Sequence, residues 1–130
     1  MAADSKKNVS TNGAPKAIGP YSQGVVANGF LFVSGQVALI PETGELISGG
    51  IKDETRRVLA NIKAIVEAAG LKMDDVVKTT VYLTDLKKFV DMNEVYAEFF
   101  KEPYPARATV EVSALPKGVS VEIDAIAAKR

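Results

Sequence analysis

Apolar positions recur along the chain with two different periods, and each period marks a kind of element. Between residues 51 and 69 they fall at Ile51, Val58, Leu59, Ile62, Ile65, Val66 and Ala69, one stripe of a helix, with Gly70 as its C-terminal stop. A second, shorter helix is predicted from Leu86 or Phe89 to Phe100. It carries Phe89, Met92, Tyr96 and Phe99 at three-and-four spacing and is ended by Pro103 and Pro105. Elsewhere the pattern is that of strands. YSQGVVA (21–27) and FLFVS (30–34) flank Asn28-Gly29, the strongest short hairpin signal, because both turn residues can take positive φ. PETG (41–44) reads as a second turn, and DVVKTTVYLT (75–84), rich in β-branched residues, reads as a strand. PARATVEV (105–112) and VSVEIDAIA (119–127) complete the order hairpin, helix, strand, helix, strand, strand. That order predicts an α+β layer with two helices on one face of a sheet.

Two helices cannot cover both faces of a five- or six-stranded sheet, so the other face should be polar or buried against another chain. In the last strand Val119, Val121, Ile123 and Ala125 lie on one side, and Ser120, Glu122 and Asp124 on the other. In 105–112 the apolar side is Ala106, Ala108, Val110 and Val112, and the polar side is Arg107, Thr109 and Glu111. One sheet face therefore collects Glu122 and Asp124, and the polar side of 105–112 supplies Arg107 and Glu111. The loop between these strands permits either a hairpin or a crossover, which leaves their adjacency open. A permanent charge inside an otherwise apolar strand, two residues after Pro105, asks for a reason.

Composition narrows the chemistry. The 130 residues suit a single domain, taken as 14–130 behind a loose polar tail at 1–13. Sixteen Lys and Arg balance sixteen Asp and Glu, and apart from Lys6-Lys7 and Lys87-Lys88 there is no basic cluster, which disfavours nucleic acid as a partner. The chain has no Cys and no His. It therefore has no disulfide, no thiol nucleophile and none of the usual proton-transfer side chain, and a zinc site would need carboxylates alone. Any catalysis falls to carboxylates, hydroxyls, Arg, Lys, backbone and water. No apolar run nears the ~18 residues of a membrane span, and the start lacks an apolar signal core, so a cytoplasmic location is the default expectation.

Several stretches together resemble the Rid (YjgF) family of reactive-intermediate imine and enamine deaminases. They are PARATVEVSAL (105–115) followed after five residues by VEI (121–123), AIGPYSQG (17–24), SGQ (34–36), NIKAIVEAAG (61–70) and VKTTVYLTD (77–85). The likeness runs from about residue 14 to 130 in the expected order and is similar to the RidA subgroup. It implies a chorismate-mutase-like α+β fold, a homotrimer with a pocket at each subunit interface, and no metal or organic cofactor. The implied reaction is hydrolysis of 2-imino acids, such as 2-iminobutanoate and 2-iminopropanoate, to 2-oxo acids and ammonia. Such imines are by-products of pyridoxal-phosphate dehydratases.

The residues fit that chemistry, each against a plainer reading. Arg107 is a clamp for the substrate carboxylate, since its planar fork meets a carboxylate in a bidentate way; the plainer reading is a cross-strand ion pair with Asp124 or Glu111. Glu122 matches the family carboxyl that handles water and the departing nitrogen, against a solvated glutamate on an exposed strand face. Tyr21 matches a tyrosine bordering the pocket, against an ordinary strand aromatic. Ser34 offers a hydroxyl and Gly35 a close backbone approach to a ligand, against a bulge in the hairpin strand. Asn93 matches a ligand-bonding position on the second helix, against a solvated helix residue. Thr109 stands where many members have Cys, which leaves imine hydrolysis intact and puts thiol-dependent behaviour in doubt. Beside the deaminase stand a non-catalytic binder of small carboxylates that regulates another protein, a ribonuclease or translation inhibitor, and a purely structural oligomer.

Overall fold

A computed structural model describes residues 6–130. Six strands form one mixed sheet: β1 (Lys6–Val9), β2 (Gly24–Ala27), β3 (Phe30–Gln36), β4 (Val76–Leu83), β5 (Ala106–Glu111) and β6 (Val121–Ala128). Two helices, α1 (Ile51–Ala68) and α2 (Phe89–Phe99), pack on one face. The strand order is β1-β2-β3-β6-β4-β5, antiparallel throughout except for the parallel pair β4 and β5. The α+β layer expected from the order of elements is present.

Local sequence explains the elements. Asn28 and Gly29 both take positive φ, so Ala27 pairs directly with Phe30 across a two-residue turn whose twist suits the strands. The predicted stripe of α1 is its buried face, with Val58, Leu59, Ile62, Ile65 and Val66 shut off from solvent. Gly70 (φ 80°) ends the helix: its N–H bonds to the Glu67 carbonyl, and the Leu71 N–H reaches back to Val66, a Schellman closure. At Gly24 an added Cβ would lie 2.9 Å from Ile65 Cγ2, so this glycine lets α1 sit close on the sheet. The core between sheet and helices is completed by Leu31, Val33, Val81, Leu83, Met92, Val121, Ile123 and Ala125.

Two expectations are corrected and one open question is closed. Lys6–Val9, placed in the loose tail, pairs with β2 as an edge strand; residues 1–5 of that tail lie outside the described residues. The strands β5 and β6 are not neighbours, because β4 runs between them and bonds to both. Most consequentially, the polar sides of β5 and β6 face opposite ways. Arg107 pairs with Thr79 and Thr109 with Val81, and Thr79 and Val81 are buried under the helices. Glu122 pairs with Tyr82, on the uncovered face. The helices thus cover the polar side of β5 and leave Ala106, Ala108 and Val110 outward. That outward face is mixed rather than polar, with Phe32 45% exposed beside Glu122 and Asp124.

Candidate active site

Arg107 leaves β5 beneath α2. Its Nη1 donates to Asn93 Oδ1 at 2.7 Å, and its guanidinium carbon lies 4.7 Å from the Tyr96 ring centre and 5.4 Å from that of Phe89. A guanidinium over two aromatic faces is held by its quadrupole attraction to them, and the stack fixes its plane. The Tyr96 hydroxyl shares a 2.8 Å hydrogen bond with Thr79 Oγ1 in the core. Burial pushes the Tyr96 phenol up, against the hydrogen bond from Thr79 and the nearby charge of Arg107. Among the described residues no carboxylate pairs with Arg107, so the ion pairs with Asp124 or Glu111 do not form. Glu111 instead accepts from the Leu86 N–H at 2.9 Å, and Asp124 from the Tyr82 hydroxyl at 3.2 Å. The guanidinium opens into a cleft of about 480 Å³ lined by Asn93, Tyr96, Ala97, Tyr104, Pro105 and Arg107.

Glu122 lies on the other face of the sheet. Between Val33 and Gln36 the register of β3 against β6 slips, so Ser34 and Gly35 together oppose Asp124 in a β-bulge. The plainer reading of Gly35 as a bulge is correct, and the bulge has a consequence. The Glu122 carboxylate lies over Gly35 where a Cβ would stand, so any other residue there would push it aside. Ser34 donates its hydroxyl to the Ser22 carbonyl and its N–H to Gln23, which ties the bulge to the chain next to Tyr21. Tyr21 is 54% exposed, its hydroxyl accepts from the Ile18 N–H, and with Gly35 it lines a second cleft of about 270 Å³. Desolvation, and then the charge of Asp124, raise the Glu122 carboxyl above the ordinary carboxylate range.

The named residues therefore fall into two groups. Arg107, Asn93 and Thr109 belong to the helix side of the β5 edge; Glu122, Gly35, Ser34 and Tyr21 belong to the bulge on the open side. Within one chain the sheet separates them. Sequence reasoning missed the partners of Arg107: Tyr96 and Phe89 were read only as an apolar stripe, and Tyr104 was not singled out. A tyrosine on a buried stripe brings a hydroxyl that needs a partner, which was the available signal.

Comparison with known proteins identifies the family. Residues 11–129 match the family model described as Endoribonuclease L-PSP. A RutC family protein of Pyrococcus horikoshii is 59% identical, over 95% of this chain and 98% of its own. The human 2-iminobutanoate/2-iminopropanoate deaminase is 46% identical, over 94% of this chain and 89% of its own. The crystal structure of E. coli TdcF with bound serine superposes with a TM-score of 0.90 at 48% identity, covering 95% of this chain and 99% of that one. With nearly its whole length matched in sequence and fold, the chain belongs to the Rid (YjgF) family.

Proposed function

We propose that this protein hydrolyses 2-imino acids, 2-iminobutanoate and 2-iminopropanoate among them, to 2-oxo acids and ammonia in the cytoplasm. It does so as a homotrimer whose sites form where the Arg107 group of one chain meets the Glu122 group of the next. One observation carries the reading: a half-buried guanidinium oriented by Asn93, Tyr96 and Phe89, with no carboxylate paired to it among the described residues. A buried charge without a counter-ion is costly, and an anionic ligand offsets that cost. Two features support a second copy as the neighbour. β5 is an edge strand with one side of its backbone unpaired, and the open face carries exposed Phe30, Phe32 and Val110. The relatives named above support the reaction, one by its deaminase name and one by a small amino acid bound in it.

The chemistry follows from the two groups. Arg107 grips the substrate carboxylate, and Tyr21 and Thr109 border it. Protonated Glu122 donates to the imine nitrogen, which makes the C=N carbon electrophilic. Water adds to that carbon, and the Glu122 carboxylate takes up the proton that the water loses. In the resulting carbinolamine Glu122 returns that proton to the nitrogen, and ammonia leaves as the hydroxyl becomes the carbonyl and gives its own proton back to Glu122, so that the imine and one water leave as the 2-oxo acid and ammonia. Acid–base help of this kind contributes about 10²–10⁴-fold, which suits a substrate that already hydrolyses unaided.

The test couples the protein to an amino acid dehydratase in the presence of semicarbazide. Semicarbazone formation should slow with the wild-type protein, and Arg107→Ala should restore it while the oligomer persists. No slowing by the wild type, with a 2-oxo acid still binding, leaves the non-catalytic carboxylate binder. The charge balance and the lack of histidine weigh against the ribonuclease reading, and RNA cleavage that persists in Arg107→Ala, or that drops out on further purification, would point to a contaminant.

A further inference from the structure

Two carboxylates stand two residues apart on the open face of β6: Asp124 opposes the bulge of Ser34 and Gly35 in register, and Glu122 lays its carboxylate over Gly35. Glu122 lies over Gly35, and among the described residues no side chain donates a hydrogen bond to it. Asp124 points the same way, and the Tyr82 hydroxyl, carried by the strand next door, donates to its Oδ2 at 3.2 Å. Tyr82 is the direct cross-strand partner of Glu122, so its ring passes Glu122 diagonally to reach Asp124. The other charged or titratable side chains on this face are few. Lys78 on β4 donates to Thr80 Oγ1, and β3 offers only Phe30, Phe32, Ser34 and Gly35. Lys16, Lys117 and the Tyr21 phenol line the cleft that holds Gly35, and in the assembly proposed above Arg107 of the adjoining copy would complete the surroundings.

We propose that Asp124 is a positioning residue for the reaction: fixed by the Tyr82 hydroxyl, it stands as a second carboxylate beside Glu122 and so influences the proton that Glu122 offers to the substrate nitrogen. The arrangement separates two chemically similar groups by their donors. Like charges on neighbouring positions of one strand face disfavour joint ionisation. Glu122 is the group pressed toward the neutral acid, by its desolvation and by Asp124. A neutral carboxyl is what a proton donor to an imine nitrogen requires, and its usefulness at neutral pH rises as its pKa approaches the working pH. Asp124 thus acts through Glu122 without touching substrate.

Asp124→Asn is the informative change, because an asparagine oxygen still accepts from Tyr82 while the charge is gone. The proposal rests on the deaminase reading, so two readouts keep the two apart. The first is titration of the Glu122 carboxyl by carbon-13 NMR in the assembled protein, with Glu122→Gln to assign the signal. The titration should move to lower pH in Asp124→Asn and stay close to wild type in Asp124→Glu. The second is the pH profile of kcat/KM for 2-iminobutanoate generated by a dehydratase. Its fall at high pH should begin earlier in Asp124→Asn, giving a several-fold loss near neutrality, short of the ~100-fold or more that removing a general acid costs. Asp124→Glu should restore the profile. An unmoved Glu122 titration in Asp124→Asn overturns the proposal even if the protein is a deaminase. A moved titration with an unmoved rate profile overturns the link to catalysis. A wild type without activity defeats the deaminase reading by itself.

Discussion

The Arg107 and Glu122 groups are built on opposite principles. Arg107 is rooted in the fold: its guanidinium lies on Tyr96, whose hydroxyl is bonded to buried Thr79, and Asn93 caps it from α2. The same side chains that finish the core beneath α2 orient the charge. Glu122 is rooted in an interruption of the fold, a two-residue bulge that leaves the carboxylate over a glycine on a face without helices. One group is preorganised by packing and the other by an absence of packing. The sheet stands between them, so within one chain the two groups do not share a site, and the proposed assembly is what would join them.

The largest expected effect breaks this comparison at its root. Arg107→Ala and Glu122→Gln should each lose turnover by ~100-fold or more. Unfolding and refolding the two inactive proteins together should return part of the wild-type activity, because some interfaces then join an intact Arg107 to an intact Glu122. Activity no higher than that of the separate variants would mean that each chain makes its own site. A smaller effect probes the bulge. In Gly35→Ala the new methyl occupies the place of the Glu122 carboxylate, which must swing away. A displacement of about 1 Å at a catalytic group costs up to ~100-fold, so kcat should fall by one to two orders of magnitude with 2-oxo acid binding at Arg107 little changed. Loss of binding without loss of kcat would place Glu122 outside the chemistry.

The two groups were also unequally legible in the sequence. The stripe of α1 and the Asn28-Gly29 turn are local signals, set by 3.6-residue periodicity and by positive φ, and both elements form where expected. Alternation along 105–112 correctly separates Arg107 and Thr109 from Ala106 and Ala108, but says nothing about which side the helices cover. In the fold β5 is an edge strand parallel to β4, and the register Thr79 to Arg107 turns the charge under α2, where the aromatic faces of Phe89 and Tyr96 accept it. Crossover topology and register are products of the whole chain, and no short stretch encodes them. The bulge was named at Gly35 because a glycine after a β-rich run suggests one, whereas its occupant, Glu122, is 87 residues away in sequence.

A stability measurement sharpens the contrast further. Glu122 has its carboxyl raised by desolvation and by Asp124, so the native state holds that proton to higher pH than the unfolded chain does. Stability from this group is therefore full at low pH and is lost as pH rises through the folded-state value. Glu122→Gln should then resist urea at least as well as wild type at pH 7, and the advantage should fade on acidification. A variant that is less stable than wild type at pH 7 would show that the ionised carboxylate is structurally welcome.

The smallest effect belongs to the other group. Tyr96→Phe keeps the ring that stacks on Arg107 and removes only the hydroxyl that Thr79 meets at 2.8 Å in the core. Thr79 is fully buried, so its oxygen loses its partner where water cannot replace it. Leaving such a group unsatisfied costs about 1–3 kcal/mol, and Thr79 can recover part of that by turning toward a backbone carbonyl of its own strand. A loss near the lower end, ~1 kcal/mol in urea denaturation at constant m-value, is expected, with the affinity of 2-oxo acids within about twofold of wild type. Because the π-face holds the guanidinium and the hydroxyl holds the ring, stability and binding should separate in this variant. If binding instead weakens tenfold while stability stays unchanged, the hydroxyl rather than the ring face orients Arg107, and the idea that this half of the site is preorganised by packing fails.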